Sequence, residues 1–237
     1  MKLSLVIPCF NEAKNIPLLL ERCLSITQSH QTQIEIILVD NGSTDETPAV
    51  LSQILRDFPG CRSVRVEVNK GYGFGILAGL KCAEGDILGW THADMQTDPA
   101  DVLDGLRYFE GNDKNIFCKG RRFGRPLFDT LFTVGMSLFE SLLLLKPMWD
   151  INAQPTLFSR DFFLTWDDAP SDFSLDLYAY FLAKNAGLTV NRFPVYFGLR
   201  AHGVSHWNVG WGAKLNFIKR TLSYSFLLKR RLKRLKK

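Results

Sequence analysis

The chain has 237 residues, of which 46% are hydrophobic and 22% charged, and its formal net charge is +5. This composition excludes a disordered or fibrous chain and predicts one folded domain, or one core with an appendage. The five cysteines are scattered without a C-x-x-C pair, which argues against a disulfide framework or a zinc site. We expect no signal peptide, because the apolar run 3–8 is too short for one.

The first half of the sequence alternates short apolar runs with helical patterns. The predicted strands are 3–8, 34–40, 64–68 and 86–94, and the predicted helices are 14–29, one starting within 43–47 with Ser43 or Thr44 as its N-cap, and 72–84. This alternation is typical of parallel βαβ units, which bind ligands at the carboxyl ends of their strands.

The pattern loosens after residue 100 but continues to alternate. It predicts helices over 100–110, 127–145 and 172–186, and strands over 115–120, 153–159 and 188–195. The last predicted helix, 211–235, has a leucine-rich face with Lys and Arg on the others. The longest apolar run, 131–145, contains Glu140 and is shorter than the roughly 20 residues that span a bilayer, so we expect no transmembrane helix.

Charge is distributed unevenly along the chain. Acidic residues end at Asp176, and residues 177–237 hold 13 Lys or Arg, so the first 176 residues carry −8 and the rest +13. A basic end on an acidic body predicts contact with an anionic surface, either lipid or nucleic acid. We favour an anionic membrane over nucleic acid, because a leucine-faced helix precedes the basic run 229–237 and no nucleic-acid recognition fold is visible.

The fourth predicted strand leads directly into His92, Asp94 and Gln96. In an extended chain these alternate positions point to the same side. Asp94 and Gln96 offer oxygen ligands to a hard divalent cation, Mn²⁺ or Mg²⁺, that bridges a diphosphate, and His92 could add an imidazole. Taken alone, His92 is more simply a polar residue at the end of a strand.

Two turns suggest nucleotide binding. Asp40 ends the second predicted strand and could accept hydrogen bonds from a base or ribose, although the turn after it could also be only a capped βα loop. Gly73, Gly75 and Ala78 form a G-x-G-x-x-A motif. This motif suggests the alternative hypothesis of an NAD(H)-dependent oxidoreductase, in which Asp94 would bind the ribose. We rank the oxidoreductase lower, because that loop normally follows the first strand and this one follows the third.

Seven motifs, in order, resemble those of the family 2 glycosyltransferases, particularly the polyprenyl-phosphate sugar transferases such as dolichol-phosphate mannose synthase. They are VIPCFNEAKNI (6–16), IILVDNGSTDET (36–47), NKGYGFGILAGL (69–80), WTHADMQTDP (90–99), KGRRF (119–123), DINAQPTLFSR (150–160) and RAHGVSHW (200–207). The resemblance covers residues 3–210 and implies a GT-A fold, an α/β sandwich with a mostly parallel central sheet. It also implies a GDP- or UDP-linked sugar donor and a divalent metal.

The resemblance divides the chain into three parts. Residues 1–125 form the half that binds the nucleotide sugar, and residues 126–210 form the acceptor half of the same domain, with an interfacial helix. Residues 211–237 form a basic amphipathic C-terminal helix.

The resemblance also implies roles for individual residues. Arg122 and Arg200 match arginines that pair with phosphate oxygens. Asp150 and Asp176 match acidic positions near the acceptor and are our candidates for a general base, which with Arg200 form the predicted catalytic set. The donor nucleotide and its diphosphate are expected to contact Pro8, Asn11, Glu12, Asp40, Gly42, Lys70, Gly71, Asp94, Arg122 and Arg200.

Three positions depart from the family's pattern. His92 replaces the first aspartate of D-A-D, which shifts the metal preference from Mg²⁺ toward Mn²⁺. Asn41 replaces the second aspartate of D-D-G-S. Asp129 and Thr133 align where the polyprenyl-phosphate enzymes carry an arginine and a serine, and an aspartate is unfavourable beside an acceptor phosphate.

We therefore predict an inverting hexosyltransferase that is cytoplasmic and peripheral on the cytoplasmic face of the membrane. Its expected acceptor is dolichyl or undecaprenyl phosphate, which needs no general base. The alternative is a saccharide hydroxyl in lipopolysaccharide, capsule or another glycan, which does need one. A catalytically impaired, nucleotide-binding protein docked on the membrane is an alternative of another class.

Overall fold

The computed structural model describes residues 1–28, 33–111, 113–202 and 211–235. The strands are β1 Lys2–Cys9, β2 Gln33–Asn41, β3 Cys61–Val66, β4 Ile87–Trp90, β5 Ile116–Phe123, β6 Thr156–Ser159 and β7 Thr189–Tyr196. The helices are α1 Ile16–Gln28, α2 Thr47–Ile54, α3 Tyr72–Cys82, α4 Val102–Leu106, α5 Leu127–Leu144, α6 Arg160–Leu164, α7 Ser174–Asn185 and α8 Trp211–Leu235. Single 3₁₀ turns follow α2 and flank α4.

All seven strands belong to one sheet, in the order β3-β2-β1-β4-β6-β5-β7. β6 runs antiparallel to β4 and β5, and the remaining pairs are parallel. The predicted α/β class with a mostly parallel central sheet is confirmed. The carboxyl ends of β1, β2, β4 and β5 therefore lie along one edge, and the candidate site is built on that edge.

Helices cover both faces of the sheet, because successive side chains of a buried strand point to opposite sides. Leu5 and Ile7 of β1 belong to the core that contains the buried residues of α1. Val6, between them, belongs to the second core, with α3 and α7. The near-continuous apolar runs of β1 and β2 follow from burial on both faces.

The predicted elements are present, with several local differences. β4 ends at Trp90, because the chain turns and Met95 has a φ of 59°. α2 begins at Thr47 with Glu46 as N-cap, so the expected Ser43 or Thr44 cap is wrong. The helix predicted over 100–110 is a short α4 between two 3₁₀ turns, and α6 was not predicted.

α5 exposes a wide apolar face. By length and composition alone this helix is long and apolar enough to cross a membrane, and 17% of it is buried. The expectation that it does not span a bilayer stays a prediction. Its exposed apolar residues, which we call the α5 apolar face, are Leu127, Phe128, Leu131, Val134, Leu138 and Leu142.

Candidate active site

The loops that follow β1 and β2 are joined side by side, and Asn11 makes the junction. Its backbone N–H donates to Ser43 Oγ at 3.1 Å, and its Oδ1 accepts from Thr44 N at 2.9 Å. Asn11 adopts a φ of 57°, a left-handed conformation that asparagine tolerates better than most residues. Ser43 and Thr44 are thereby engaged with the β1 loop, which is why neither caps α2.

Asp40 is buried at the carboxyl end of β2, and both of its oxygens have partners within the chain. Oδ1 accepts from Ser43 N at 3.0 Å, and Oδ2 pairs with Arg65 Nη1 at 3.0 Å. Gly42 follows with a φ of 72°, and a Cβ there would lie 2.5 Å from Asn69 N. The turn therefore requires glycine and brings the β2 and β3 loops together.

An open cleft of about 440 Å³ lies beside these loops. Its lining residues are Phe10, Asn11, Glu12, Ala13, Lys14, Asn15, Asp45, Glu46, Arg200 and His202. Burial raises the pKa of Glu12, and Asp94 adds to the shift, while Asn15 and Arg200 oppose it. Asn15 Nδ2 also donates to the carbonyl oxygen of His202 at 3.3 Å, which fastens the segment after β7 to this cleft.

Asp94 is a second acidic residue of the site, after Glu12, and is buried. Its Oδ2 lies 2.8 Å from Arg200 Nη2, and its Oδ1 accepts from Gln96 N at 3.1 Å. The chain is not extended here, so the expected alternation of positions 92, 94 and 96 on one side is wrong. Gln96 Nε2 instead donates to Gly198 O at 3.2 Å, and Gly198 N donates back to Gln96 O at 2.7 Å.

His92 is partly buried between the donor cleft and the second half of the domain. Its ring centroid lies 5.8 Å from that of Tyr72. Burial lowers the pKa of His92, and Arg122 and Arg200 add to this, whereas Asp94 and Asp176 oppose it. The neutral imidazole is a competent ligand for a transition metal.

The side chains at this site provide only part of the coordination that a divalent cation needs. No group of three or more His, Cys, Asp and Glu that could hold a metal occurs among the described residues. One carboxylate, Asp94, is nevertheless sufficient where substrate phosphates complete the coordination, as is usual for Mg²⁺. Gln96 and His92 are the nearest further candidates in sequence.

Asp150 is buried beside Arg122 at the end of β5. Its carboxylate accepts from Arg122 N and Nε, both at 2.9 Å, and lies 3.9 Å from Arg192 Nη2. The two arginines outweigh the effect of burial and lower the pKa of Asp150. Ser137 Oγ accepts from Asp150 N at 3.0 Å, which ties this loop to α5.

Asp176, in the first turn of α7, is buried against Lys119 of β5. The Lys119 Nζ lies 3.2 Å from Asp176 Oδ1 and donates to Thr156 Oγ1 at 2.9 Å. Burial lowers the pKa of Lys119 to about 8, although Asp176 opposes the shift. Tyr72, whose hydroxyl accepts from Gln154, completes this buried polar group beneath His92.

Three further predicted donor residues, Pro8, Lys70 and Gly71, are not among the residues that line the cleft. Pro8 is the penultimate residue of β1 and pairs with Val39. Lys70 is exposed, and its Nζ lies 5.2 Å from the ring centroid of Phe74. Gly71 has a φ of 117°, and a Cβ there would lie 2.5 Å from Ser171 O.

The glycine motif after β3 has a packing role. A Cβ on Gly73 would lie 2.7 Å from the carbonyl oxygens of both Pro170 and Asp172, and one on Gly75 would lie 2.9 Å from Asn41 Cγ. Backbone and side-chain atoms therefore fill the space that a pyrophosphate would need. The dinucleotide-binding interpretation is wrong.

Arg125 was missed by the sequence analysis. Its Nη1 donates to Thr133 Oγ1 at 2.7 Å, and its Nε is buried without a hydrogen-bond partner. The Cζ atoms of Arg122 and Arg125 lie 5.3 and 5.4 Å from the ring centroid of Phe197. Burial and the nearby Arg122 lower the pKa of Arg125, whereas Asp150 and Asp129 oppose the shift.

The family model of "Glycosyl transferase family 2" matches residues 4–152. The chain belongs to glycosyl transferase family 2. The match includes the loops after β1, β2 and β4 and the Arg122–Asp150 pair, so the resemblance derived from the motifs is confirmed.

Curated relatives resemble less than half of the chain. The undecaprenyl-phosphate 4-deoxy-4-formamido-L-arabinose transferase of Photorhabdus laumondii is 36% identical over 103 residues, 43% of this chain and 31% of the relative. That of Pectobacterium atrosepticum is 37% identical over 101 residues, 42% of this chain and 31% of the relative. The matched region thus spans about a third of the length of these relatives.

Solved structures of glycosyltransferases share the fold. A mannosyltransferase from Pyrobaculum calidifontis, in complex with GDP-Man and Mn²⁺, superposes with a TM-score of 0.65 at 18% identity, over 85% of this chain and 58% of the other. Glucosyl-3-phosphoglycerate synthase from Mycobacterium tuberculosis, in complex with Mn²⁺ and UDP-glucose, superposes with a TM-score of 0.69 at 19% identity, over 96% and 78%. The expected GT-A fold is confirmed.

Proposed function

We propose that this family 2 chain is an inverting glycosyltransferase that moves a hexose from a nucleotide-diphosphate sugar to a polyprenyl phosphate. The observation that carries the proposal is a cleft at the carboxyl edge of the sheet that Glu12 and Arg200 line, with Asp94 paired to Arg200 beside it. Curated relatives named as undecaprenyl-phosphate sugar transferases support the acceptor class.

The cleft offers the donor two different environments. The nucleoside is placed toward Pro8, Asn11, Glu12 and Asp40, where carboxylates and backbone groups can accept and donate hydrogen bonds. The diphosphate is placed toward Asp94, Gln96 and Arg200. In the structure Arg200 is paired with Asp94, and we propose that its guanidinium moves to the diphosphate when the donor binds.

A divalent cation would be held by Asp94, with Gln96 and His92 near it and phosphate oxygens completing the coordination. When bound, such a cation neutralises the charge that develops on the leaving diphosphate. Structures of relatives that contain Mn²⁺ support a divalent metal. We propose Mn²⁺ over Mg²⁺, because His92 offers nitrogen where the family has a carboxylate.

A phosphate acceptor is favoured because both candidate bases are neutralised within the chain. Asp150 is bound by Arg122 and approached by Arg192, and Asp176 is paired with Lys119 out of solvent. A hydroxyl acceptor would need one of these carboxylates free to remove its proton. A phosphate oxygen attacks the anomeric carbon directly, and the carbon–oxygen bond to the nucleoside diphosphate breaks with inversion.

Arg125, Thr133 and Arg122 provide a candidate position for the acceptor phosphate. The two guanidinium groups lie on the Phe197 ring, and Arg125 has a buried Nε without a partner. A phosphate there would supply an acceptor for this Nε and additional negative charge. Arg125 thus provides an arginine near Thr133, although the family's aligned arginine is Asp129 in this chain.

The α5 apolar face and the basic end of α8 support binding to an anionic membrane surface. A leucine- and phenylalanine-rich face on the acceptor half would seat the protein where a polyprenyl chain resides. Each Lys or Arg at the basic end of α8 adds about 1 kcal/mol to the free energy of binding to an anionic lipid surface. We propose a peripheral position on the cytoplasmic face.

One observation favours a second candidate function, a nucleotide-binding protein without transferase activity. Asp94 provides the one remaining carboxylate of the D-A-D motif, and in the structure it is already paired with Arg200. If Arg200 stays on Asp94 in the presence of donor, no metal and no diphosphate would be stabilised.

The test is nucleoside diphosphate release by the full chain from GDP- and UDP-linked sugars, with Mn²⁺ or Mg²⁺ and undecaprenyl or dolichyl phosphate. We expect one donor to give acceptor-dependent release, and Asp94→Asn to reduce it at least a hundredfold. Asp104→Asn, which changes an exposed acid of α4 paired with Arg107, is the matched control. Binding of a nucleotide sugar without release under all conditions would instead support the second candidate.

A further inference from the structure

Glu140 is a fully buried carboxyl group on the inner side of α5. Its Oε1 lies 2.5 Å from Ser225 Oγ of α8, and its Oε2 is buried with no hydrogen-bond partner among the described residues. The residue lines a cavity of about 60 Å³ between α5, α7 and α8. An ionised carboxylate with one neutral partner in such a site is strongly disfavoured.

The Ser225 hydroxyl has one proton and two neighbouring oxygen atoms. Its Oγ lies 2.8 Å from the carbonyl oxygen of Thr221, which can only accept, and 2.5 Å from Glu140 Oε1. When the Ser225 proton is donated to Thr221, the second contact requires a proton that comes from Glu140. Both contacts are therefore satisfied by a neutral Glu140 that donates to Ser225.

The charged groups around this site do not compensate an ionised Glu140. Arg122 of β5 lines the same cavity, but its guanidinium is bound to Asp150. Burial raises the pKa of Glu140 to about 7. On the neighbouring elements Asp176 is paired with Lys119, Arg220 with Asp172, and Arg231 with Asp168. No charged group of the described residues contributes to the pKa shift of Glu140, including Asp129, Lys184, Lys219, Lys229 and Arg230 on α5, α7 and α8.

We propose that the protonated carboxyl group of Glu140 is a latch that holds α8 against α5, and that its ionisation loosens α8. The other described contacts of α8 include the buried Leu228 and the ring pair Phe139–Phe226, whose centroids are 6.5 Å apart. The latch concerns the attachment of the basic C-terminal helix and does not depend on the proposed sugar transfer.

The sign of the pH dependence follows from the two states of Glu140. In the docked state the group titrates near 7, and in the undocked, exposed state near its ordinary value of 4.5. The undocking equilibrium therefore rises about tenfold per pH unit between these two values and levels off above about 7. Docking is strongest in acid and weakest at alkaline pH.

Hydrogen–deuterium exchange of the full chain between pH 5 and pH 8, corrected for intrinsic exchange rates, tests the latch. In the native protein we expect the protection of amides in 218–231 to fall at least thirtyfold over this range. In Glu140→Gln, which stays neutral, we expect protection at pH 8 to match that at pH 5. Equal loss of protection in both proteins, or no loss in the native protein, would overturn the proposal.

A direct titration keeps the proposal testable if the glutamine variant does not fold. In ¹³C-glutamate-labelled native protein, one carboxyl resonance should titrate near pH 7 and move in Ser225→Ala. A Glu140 resonance that titrates near pH 4.5 would refute the latch. Thr130→Ala, an exposed hydroxyl of α5 that also bonds within its own helix, is the control for Ser225→Ala.

Discussion

Lys119 and Asp176 face each other 3.2 Å apart beneath the site, and neither side chain is more than 2% exposed. Breaking such a pair by removing one partner leaves an uncompensated buried charge, whereas replacing both by apolar groups can be neutral. This pair therefore has a structural role that the sequence alone did not distinguish from that of a base.

We expect Asp176→Asn to lower the free energy of unfolding by about 3 kcal/mol, because Lys119 is left unpaired in the core. The double variant Asp176→Leu/Lys119→Met should recover most of this loss, as measured by urea unfolding. Asp161→Asn, which breaks the exposed pair with Lys114, should change stability by less than about 1 kcal/mol. An Asp176→Asn protein as stable as the native one would contradict this account.

The same Asp176→Asn protein also separates the acceptor classes, once rates are normalised to the folded fraction. With a polyprenyl phosphate we expect turnover within about threefold of the native rate, because no proton has to be removed. Near-complete loss of turnover with donor binding intact would instead assign Asp176 as a base and favour a hydroxyl acceptor.

Arg125 is the residue we expect to matter most for the acceptor phosphate. Arg125→Ala should lower kcat/KM for polyprenyl phosphate about 10- to 100-fold, the range of one or two charge-assisted hydrogen bonds. The KM for the nucleotide sugar should not change. Arg121→Ala, an exposed arginine of the same strand end, is the control, and an equal effect of both variants would argue against a specific phosphate contact.

At the residue scale the sequence indicated which side chains gather at the sheet edge but not how they pair. Asp40, Asp150 and Arg122 were identified, yet the pairs Asp40–Arg65 and Asp150–Arg122 became visible only in the fold. Partners at a distance in sequence depend on strand order and loop conformation, which local patterns do not contain. Arg125 was missed because its neighbour Phe197 lies in a segment remote in sequence.

At the scale of elements, the periodic patterns were sufficient for strands and helices with a clear apolar period. They failed where contacts between loops set the end of an element. At α2, Asn11 binds Ser43 and Thr44, the residues that were expected to cap the helix. The predicted strand 86–94 extends past the end of β4 at Trp90 into residues 91–94, because the sequence pattern does not reveal the turn with its left-handed Met95.

The α5 apolar face is the element whose role is easiest to test in isolation. Leu131→Glu/Leu138→Glu should weaken binding to liposomes at least tenfold, since two large exposed apolar side chains are replaced by charges. Leu164→Glu, on the exposed side of α6, should have little effect in the same sedimentation assay. Equal weakening by Leu164→Glu would mean that the α5 apolar face has no special role.

At the scale of the whole molecule, the charge separates along the chain, with −8 over residues 1–176 and +13 over residues 177–237. A protein with this polarity is oriented by an anionic surface before it makes apolar contact. The arrangement was visible in the sequence, since it depends on counting charges and not on folding.

We expect liposome binding to depend steeply on salt. Raising NaCl from 0.05 to 0.5 M should weaken binding to anionic vesicles at least tenfold, because the Debye length falls below the spacing of the surface charges. Binding to neutral vesicles should be weaker and insensitive to salt. Salt-insensitive binding to both kinds of vesicle would show that the basic helix does not contact lipid.

The backbone on both sides of Arg200 is fastened by amide side chains. Gln96 holds Gly198 through two hydrogen bonds, and Asn15 donates to the carbonyl oxygen of His202. For the proposed transfer of the guanidinium from Asp94 to a bound diphosphate, we therefore expect a change of side-chain rotamer on a backbone that stays in place. We accordingly expect Arg200 to follow donor arrival and product departure without a loop motion.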